Sequence, residues 1–191
     1  MAHNANETLI KSAGDVYLAT VGTDPPVAAD LDDEAALIGD GWTQQGYIAE
    51  EGPTFQGFEG EKTVFKVWNV EAAARTKTTV GEPLVNVPFV QWNTDVLPLY
   101  FPGASVDGPT GDVVIGNSAG TPAENALLLV IHDGDRTYGF WAARTGAGPG
   151  GDLSFPADDL AQLPVAFDVL ANDDDSDNMY RWIGFTEAES A

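Results

Sequence analysis

Alternation of apolar and polar side chains with a period of two residues is the feature that most limits the fold of this chain. Residues 84–91, 163–169 and 63–69 each place apolar side chains on one face of an extended backbone. This pattern is typical of strands with one buried face. Residues 126–131 are apolar on both faces, which indicates a central strand. The sequence therefore predicts a mainly β, antiparallel domain.

A two-residue turn signal supports the antiparallel assignment. Asp133 and Gly134 tolerate the positive φ angles of a type I′ turn. This signal predicts a hairpin that joins strand 125–132 to strand 135–143. Further strands are expected at the two ends of the chain, at residues 15–21 and 180–186.

Few segments have helical character. Residues 93–101 begin with the capping side chain of Asn93 and offer an apolar stripe, so we predict one short flanking helix there. Residues 71–75 have high helix propensity but are too short to be stable alone, and we interpret them as the tip of a long hairpin. Segment 24–41 is predicted to be mostly loop with one helical turn at 34–38. The expected loops are residues 22–33, 103–111, 146–151 and 172–178.

The charge of the chain excludes several functions. Thirty acidic and eight basic residues give a net charge of −22, and the pI is about 4.1. Such a surface repels nucleic acid and anionic membranes, because binding either one requires a basic patch. The longest apolar run, 126–131, is far shorter than the ~20 residues of a membrane span. The N-terminal residues also lack the basic and apolar regions of a signal peptide, so secretion is not expected.

Motifs that indicate catalysis are few. The chain has no cysteine and two histidines, which excludes a thiolate nucleophile and a three-histidine metal site. Gly116, Ser118 and Gly120 match the G-x-S-x-G nucleophile elbow. The motif leads towards the Asp-Gly hairpin instead of a helix, and only His132 and Glu124 could complete a triad after it. A small serine hydrolase that uses Ser118 is kept as the alternative hypothesis, because the motif itself matches although its surroundings do not.

Other motifs are better explained without a ligand. Gly146, Gly148 and Gly151 match a dinucleotide fingerprint, but no helix follows, so a flexible hairpin loop is the preferred interpretation. Asp173, Asp175 and Asp177 alternate as the acidic ligands of a calcium-binding loop do. The glycine and the glutamate that such a loop requires are absent, so a solvated acidic turn is preferred. The five tryptophans favour core or subunit packing, and a β-sandwich binding module remains a further alternative. We predict no catalytic, cofactor-binding or metal-binding residue.

Four segments in a fixed order resemble one family of proteins. They are Ser12–Gly22 (SAGDVYLATVG), Trp42–Gly52 (WTQQGYIAEEG), Val85–Asn93 (VNVPFVQWN) and Asp158–Asp168 (DDLAQLPVAFD). Together they are similar to the major tail proteins, or tail tube proteins, of long non-contractile-tailed (siphovirus-like) viruses. The resemblance covers essentially the whole chain, 1–191, as a single tail-tube domain.

This resemblance implies a fold and an assembly. The expected fold is an antiparallel β-sandwich with one short flanking helix, and the inner sheets of six copies form a 24-stranded barrel in a homohexameric ring. Stacked rings would form the tail tube. A long loop or hairpin within 24–41 or 70–82, with an N-terminal arm of about residues 1–12, would reach the neighbouring ring.

The resemblance also implies a structural function without enzymatic activity. The tube would hold the tape measure protein before ejection and then conduct double-stranded DNA without specific binding. Terminator and tip proteins would bind the tube ends, and the subunit would belong to the virion, assembled in the host cytoplasm and without membrane contact. Because six copies at −22 each repel one another, we expect raised salt to promote oligomers. The sequence does not decide between a haloarchaeal and an actinobacterial host.

Overall fold

The computed structural model describes residues 9, 13–68, 70–79, 81–116, 120–172 and 178–185. Its strands all pair antiparallel within these residues, so the predicted mainly β, antiparallel fold is confirmed. The strands are β1 (Ala13–Ala19), β2 (Thr43–Gln44), β3 (Thr54–Gln56), β4 (Glu61–Val67), β5 (Val70–Thr79), β6 (Leu84–Phe89), β7 (Ser105–Val106), β8 (Val113–Val114), β9 (Glu124–Asp133), β10 (Arg136–Pro149), β11 (Leu163–Val169) and β12 (Tyr180–Ile183). The helices are α1 (Glu34–Gly39) and α2 (Leu97–Tyr100), and a 3-10 turn covers Ala28–Asp30.

Eight of these strands form one sheet. Its path runs β2-β1-β9-β10-β11-β6-β3, and β12 pairs with β10 beside that path. Strands β4 and β5 form a separate hairpin, and β7 and β8 form a second small pair. No helix of the described residues is both long enough and apolar enough to span a membrane.

The long strand β10 connects the two halves of the sheet. Its first part pairs with β9 and β12, and its last residues pair with β11. A register shift between Ala142 and Thr145 bends the strand there. The side chain of Thr145 is fully buried at this bend and donates a hydrogen bond of 2.9 Å to the carbonyl of Asn125. This bond gives the buried hydroxyl an acceptor at the point where the ladder resumes.

The sheet curves until its two halves face each other. Phe55 on β3 lies with its ring centroid 5.0 Å from that of Phe140 on β10. In a flat sheet the intervening β11 and β6 would keep these strands about 14 Å apart. Between the halves lies the larger core, which includes Val87, Leu129 and Phe167 with α2 packed against it. The two layers expected of a sandwich are thus two halves of one continuous sheet.

A second core covers the opposite face of β1, β9 and β10. Tyr17, Leu128 and Trp141 point to this side because successive side chains of a strand alternate between faces. Segment 24–41 covers them through buried Leu31 and Leu37. The Asp33 carboxylate caps α1 by accepting hydrogen bonds from Ala35 N and Ala36 N at 3.0 and 3.2 Å. The helical turn predicted at 34–38 is confirmed as α1, and the helix predicted within 93–101 as α2, so the fold has two short helices instead of the one flanking helix expected.

Several local predictions need correction. The Asp133–Arg136 pairing makes Gly134 and Asp135 the two turn residues, and only Gly134 has a positive φ, 59°, which fits a type II′ turn instead of type I′. Gly146 and Gly148 pair within β10, so a loop over 146–151 is wrong except at its end. Residues 71–75 lie inside β5 and not at a hairpin tip, because pairing with β4 overrides their helix propensity. The calcium-like residues 173–177 and the N-terminal arm, apart from Leu9, lie outside the described residues.

Candidate assembly surfaces

The flanks of the G-x-S-x-G motif do not form a nucleophile elbow. Residues 117–119, Ser118 among them, lie outside the described residues. Before them β8 pairs antiparallel with β7, and the next described element after them is strand β9. An elbow instead joins a strand of a parallel sheet to a helix. Gly120 has a packing role, because its backbone touches that of Gly103 and a side chain at either position would collide.

His132 takes part in a polar cluster that holds the body of the fold together. Its Nε2 lies 3.6 Å from Asp15 Oδ2, and its Nδ1 lies 3.4 Å from Asp32 Oδ1. Thr137 donates a hydrogen bond to the same Asp32 carboxylate. These contacts tie β1, β9 and β10 to the segment before α1. In the described part of the chain, no three His, Asp or Glu side chains are grouped in a way that could hold a metal ion.

The hairpin of β4 and β5 is exposed wherever its side chains are described. These are residues 62–66 and 75–79 on the two strands and Trp68, fully exposed, in the turn between them. Gly57 and Gly81 meet closely at the base of the hairpin, where a side chain would strike the opposite backbone. Two register shifts, on either side of Lys66, interrupt the ladder. The hairpin is therefore joined to the body at its base, while its described side chains are exposed.

The hairpin and the rest of the chain carry net charges of opposite sign. Residues 61–79 contain four of the eight basic residues and two of the thirty acidic ones, a net charge of +2. All other residues together carry −24. The basic residues of the hairpin are Lys62, Lys66, Arg75 and Lys77, all exposed. The signal in the sequence that locates this surface is the clustering of half of the few basic residues within 61–79.

An acidic groove lies beside β1 on the body. It encloses about 900 Å³ between the start of β1, residues 44–50 and the stretch 91–95. Asp15, Glu50 and Asp95 line it, and it contains no basic residue. Strand β2 pairs with β1 only at Tyr17 and Leu18. The outer edge of β1 at residues 13–15 therefore faces the groove without a strand partner among the described residues.

Aromatic side chains reach the surface where β3, one end of the curved sheet, meets β12. Trp182 on β12 lies 5.3 Å from Phe55 and 5.9 Å from Phe185, measured between ring centroids. Phe185 and Trp182 are 59% and 44% exposed. Of the tryptophans, Trp42 and Trp141 are buried, Trp92 is half-buried, and Trp68 and Trp182 are exposed. An apolar patch of this kind is typical of a surface that contacts another protein.

Comparison with known proteins agrees with a self-assembling function. A family model described as phage tail tube protein matches residues 1–191. Major tail protein Gp23 of Mycobacterium phage D29 is 33% identical over 183 residues, covering 92% of this chain and 90% of that protein. Major tail protein Gp23 of Mycobacterium phage L5 is 32% identical over 182 residues, with 92% and 90% covered. The chain therefore belongs to the phage tail tube protein family, as a structural component of the virion tail and not an enzyme.

Proposed function

We propose that six copies of this chain close into a ring and that stacked rings form a tube which conducts double-stranded DNA during genome delivery. The inner strands of each copy, four per subunit, would pair edge to edge into a 24-stranded barrel. The observation that carries this proposal is the open sheet: its terminal strands β2 and β3 each pair on one side only. They are two and three residues long, which limits uncontrolled pairing with other sheets.

The charge of the body suits a channel for DNA. Six copies at −22 each give a ring with a net charge of −132. A basic side chain in the lumen could form a charge-assisted contact with each passing phosphate and slow its transit. Since four of the eight basic residues lie on the exposed hairpin, few bases are left for the inner wall. We expect the lumen to be poor in lysine and arginine.

Between rings, we expect the β4–β5 hairpin to make the contact together with the N-terminal arm of about residues 1–12. The hairpin is favoured over segment 24–41 because that segment already buries Leu31 and Leu37 against its own sheet. The described side chains of the hairpin, at 62–66, 68 and 75–79, are exposed instead. The tape measure protein in the lumen, and terminator and tip proteins at the two ends, are the remaining expected partners.

Mass and shape of the purified full-length chain test this function. Sedimentation velocity over a series of NaCl concentrations should reveal a species six times the mass of the 20.2 kDa subunit. Negative-stain electron microscopy of the same samples should show rings or tubes with a central opening. A chain that sediments as a monomer and shows isolated particles at every salt concentration would contradict the proposal.

A further inference from the structure

We infer that a glycine joint at the base of the β4–β5 hairpin fixes the direction in which the hairpin leaves the body, and that this direction decides whether rings can stack. The joint consists of residues 57–60 on one segment of the chain and residues 81–83 on the other. The inference rests on the proposed tube, in which the hairpin reaches the adjacent ring. It assigns the part of the fold that aims the hairpin.

The hairpin continues a strand pair of the body. Strands β3 and β6 pair up to Gln56 and Leu84, and strands β4 and β5 pair from Glu61 and Thr79 onwards. The joint lies between these two ladders, so that β3 leads through it into β4, and β5 leads through it into β6. Because the ladder is interrupted there, the ribbon can change direction where it leaves the body.

Three glycines hold the joint in one geometry. Gly57 and Gly60 have φ angles of 72° and 68°, which residues with a side chain rarely adopt. A side chain on Gly57 would collide with the carbonyl oxygen of Glu82, and one on Gly81 with that of Gly57. One on Gly60 would collide with the carbonyl oxygen of Thr79. Backbone therefore packs directly on backbone, and any added side chain must push the two segments apart.

Both segments of the joint are anchored to the body. Phe58 follows Gly57 in the first segment, and its ring centroid lies 5.1 Å from that of Tyr180 and 6.0 Å from that of Phe140. In the second segment, the backbone N–H of Val169 on β11 donates a hydrogen bond of 2.8 Å to the carbonyl of buried Pro83. A joint that is anchored on the body and closely packed inside passes its geometry on to the hairpin.

The direction of the hairpin can be measured because the chain has no cysteine of its own. Thr63→Cys on the hairpin and Asp135→Cys in the β9–β10 turn, both at exposed positions, give two sites for spin labels. Double electron–electron resonance of the free, full-length subunit should give one narrow distance distribution. Gly81→Ala should shift or broaden it, because the segments of the joint must separate. The matched control Gly108→Ala, at a glycine with open space around it, should leave it unchanged.

Assembly of the same glycine variants, without the labels, tests the second half of the inference. Gly81→Ala should still form rings in sedimentation velocity. Its pelleted tube fraction should fall at least about tenfold at a salt concentration at which the unmodified chain forms tubes. Its melting temperature should change by no more than about 4 °C, since the joint lies outside the strands of the eight-stranded sheet. Gly60→Ala changes the opposite segment and takes the place of Gly81→Ala if that variant does not fold.

Four results would overturn the inference. They are an unchanged distance distribution in both variants, normal tubes from a variant whose distance has changed, loss of the rings together with the tubes, and failure of both variants to fold. The proposed function is judged separately, on the unmodified chain. If that chain forms neither rings nor tubes under any condition, the function itself is contradicted and the inference falls with it.

Discussion

The body of the fold and its β4–β5 hairpin are built from the same unit, a pair of antiparallel strands, and differ in what lies behind each strand. In the body, β9 and β10 have a packed core on both faces. In the hairpin, the described side chains of β4 and β5 face outwards on both sides. The body is acidic and the hairpin is basic. The comparison shows that the body buries its strands within one subunit, whereas the described side chains of the hairpin are left exposed.

The largest difference should appear when one aromatic ring is removed from each region. Phe140 is fully buried in the larger core, so Phe140→Ala should lower the free energy of unfolding by about 3–5 kcal/mol. Trp68→Ala removes a fully exposed ring and should leave the stability of the subunit unchanged. Urea unfolding followed by tryptophan fluorescence or circular dichroism measures both. Equal losses would show that the hairpin is packed on its own subunit.

The register shifts of the two regions offer a second comparison. The shift in β10 is stabilised by the buried hydroxyl of Thr145, whereas those in β4 lie beside the exposed Lys66. Thr145→Val keeps the shape but removes the hydrogen bond from the buried hydroxyl to the carbonyl of Asn125, which should cost about 1–3 kcal/mol. Lys66→Thr should have no measurable effect on unfolding. A Thr145→Val variant as stable as the original would disprove the role of this hydrogen bond.

Limited trypsin digestion compares the hairpin before and after assembly. Trypsin cuts after lysine and arginine, and the first cuts in the free subunit should fall at Lys66 and Arg75. In assembled tubes, cleavage there should slow by at least about tenfold, since docking raises the free energy of local opening. Mass spectrometry of timed samples reports the sites and rates. Unchanged cleavage at these two sites in tubes would mean that the hairpin stays in solvent.

Alkaline pH should affect the body through Tyr17. Burial in the second core, followed by the charges of Asp15 and Glu34, raises the pKa of Tyr17 from 10.0 to about 12. The stabilising contribution of the neutral phenol is therefore complete below pH 10, and it is lost as the pH rises towards 12. Melting temperatures measured between pH 9 and 12 should fall less steeply for Tyr17→Phe. Parallel curves for the two proteins would contradict this assignment.

The smallest effect concerns an ion pair of the body. Arg144 donates from Nε to Glu124 Oε2 at 2.8 Å and from a terminal nitrogen to Oε1 at 3.1 Å. Because both side chains are partly exposed, Glu124→Gln should cost no more than about 1 kcal/mol. The difference should shrink further in 1 M NaCl, where screening is stronger. A loss that is large or independent of salt would show that more than this ion pair is disturbed.

Much of the body could be predicted from the sequence, because burial imposes a pattern on each strand. Strand β11 has the predicted bounds, 163–169, since its alternate residues Leu163, Val165, Phe167 and Val169 all point to one core. The extent of β10 could not be predicted, because its Gly146–Pro149 end becomes a strand only by pairing with β11. The type of the Gly134 turn was also missed, since it depends on the register of the flanking strands.

The assembly surfaces were predictable to different degrees. Family resemblance pointed to a long hairpin, and the positions of Lys62, Lys66, Arg75 and Lys77 are visible in the sequence. The alternating Phe65 and Val67 predicted a strand with one buried face, whereas Phe65 is 48% exposed, because the pattern alone does not show whether another element covers that face. The groove could not be predicted at all. Its carboxylates come from three separate stretches of the chain that only the folded sheet brings together.

Cryo-electron microscopy of tubes assembled from the full-length chain tests the central claim most directly. The account predicts sixfold rings around an open lumen, with each β4–β5 hairpin in contact with a copy in the adjacent ring. Rings that stack with their hairpins in solvent would contradict the role expected of the hairpin between rings. A wall built from any number of copies other than six, or no tube under any condition, would contradict the proposed assembly as a whole.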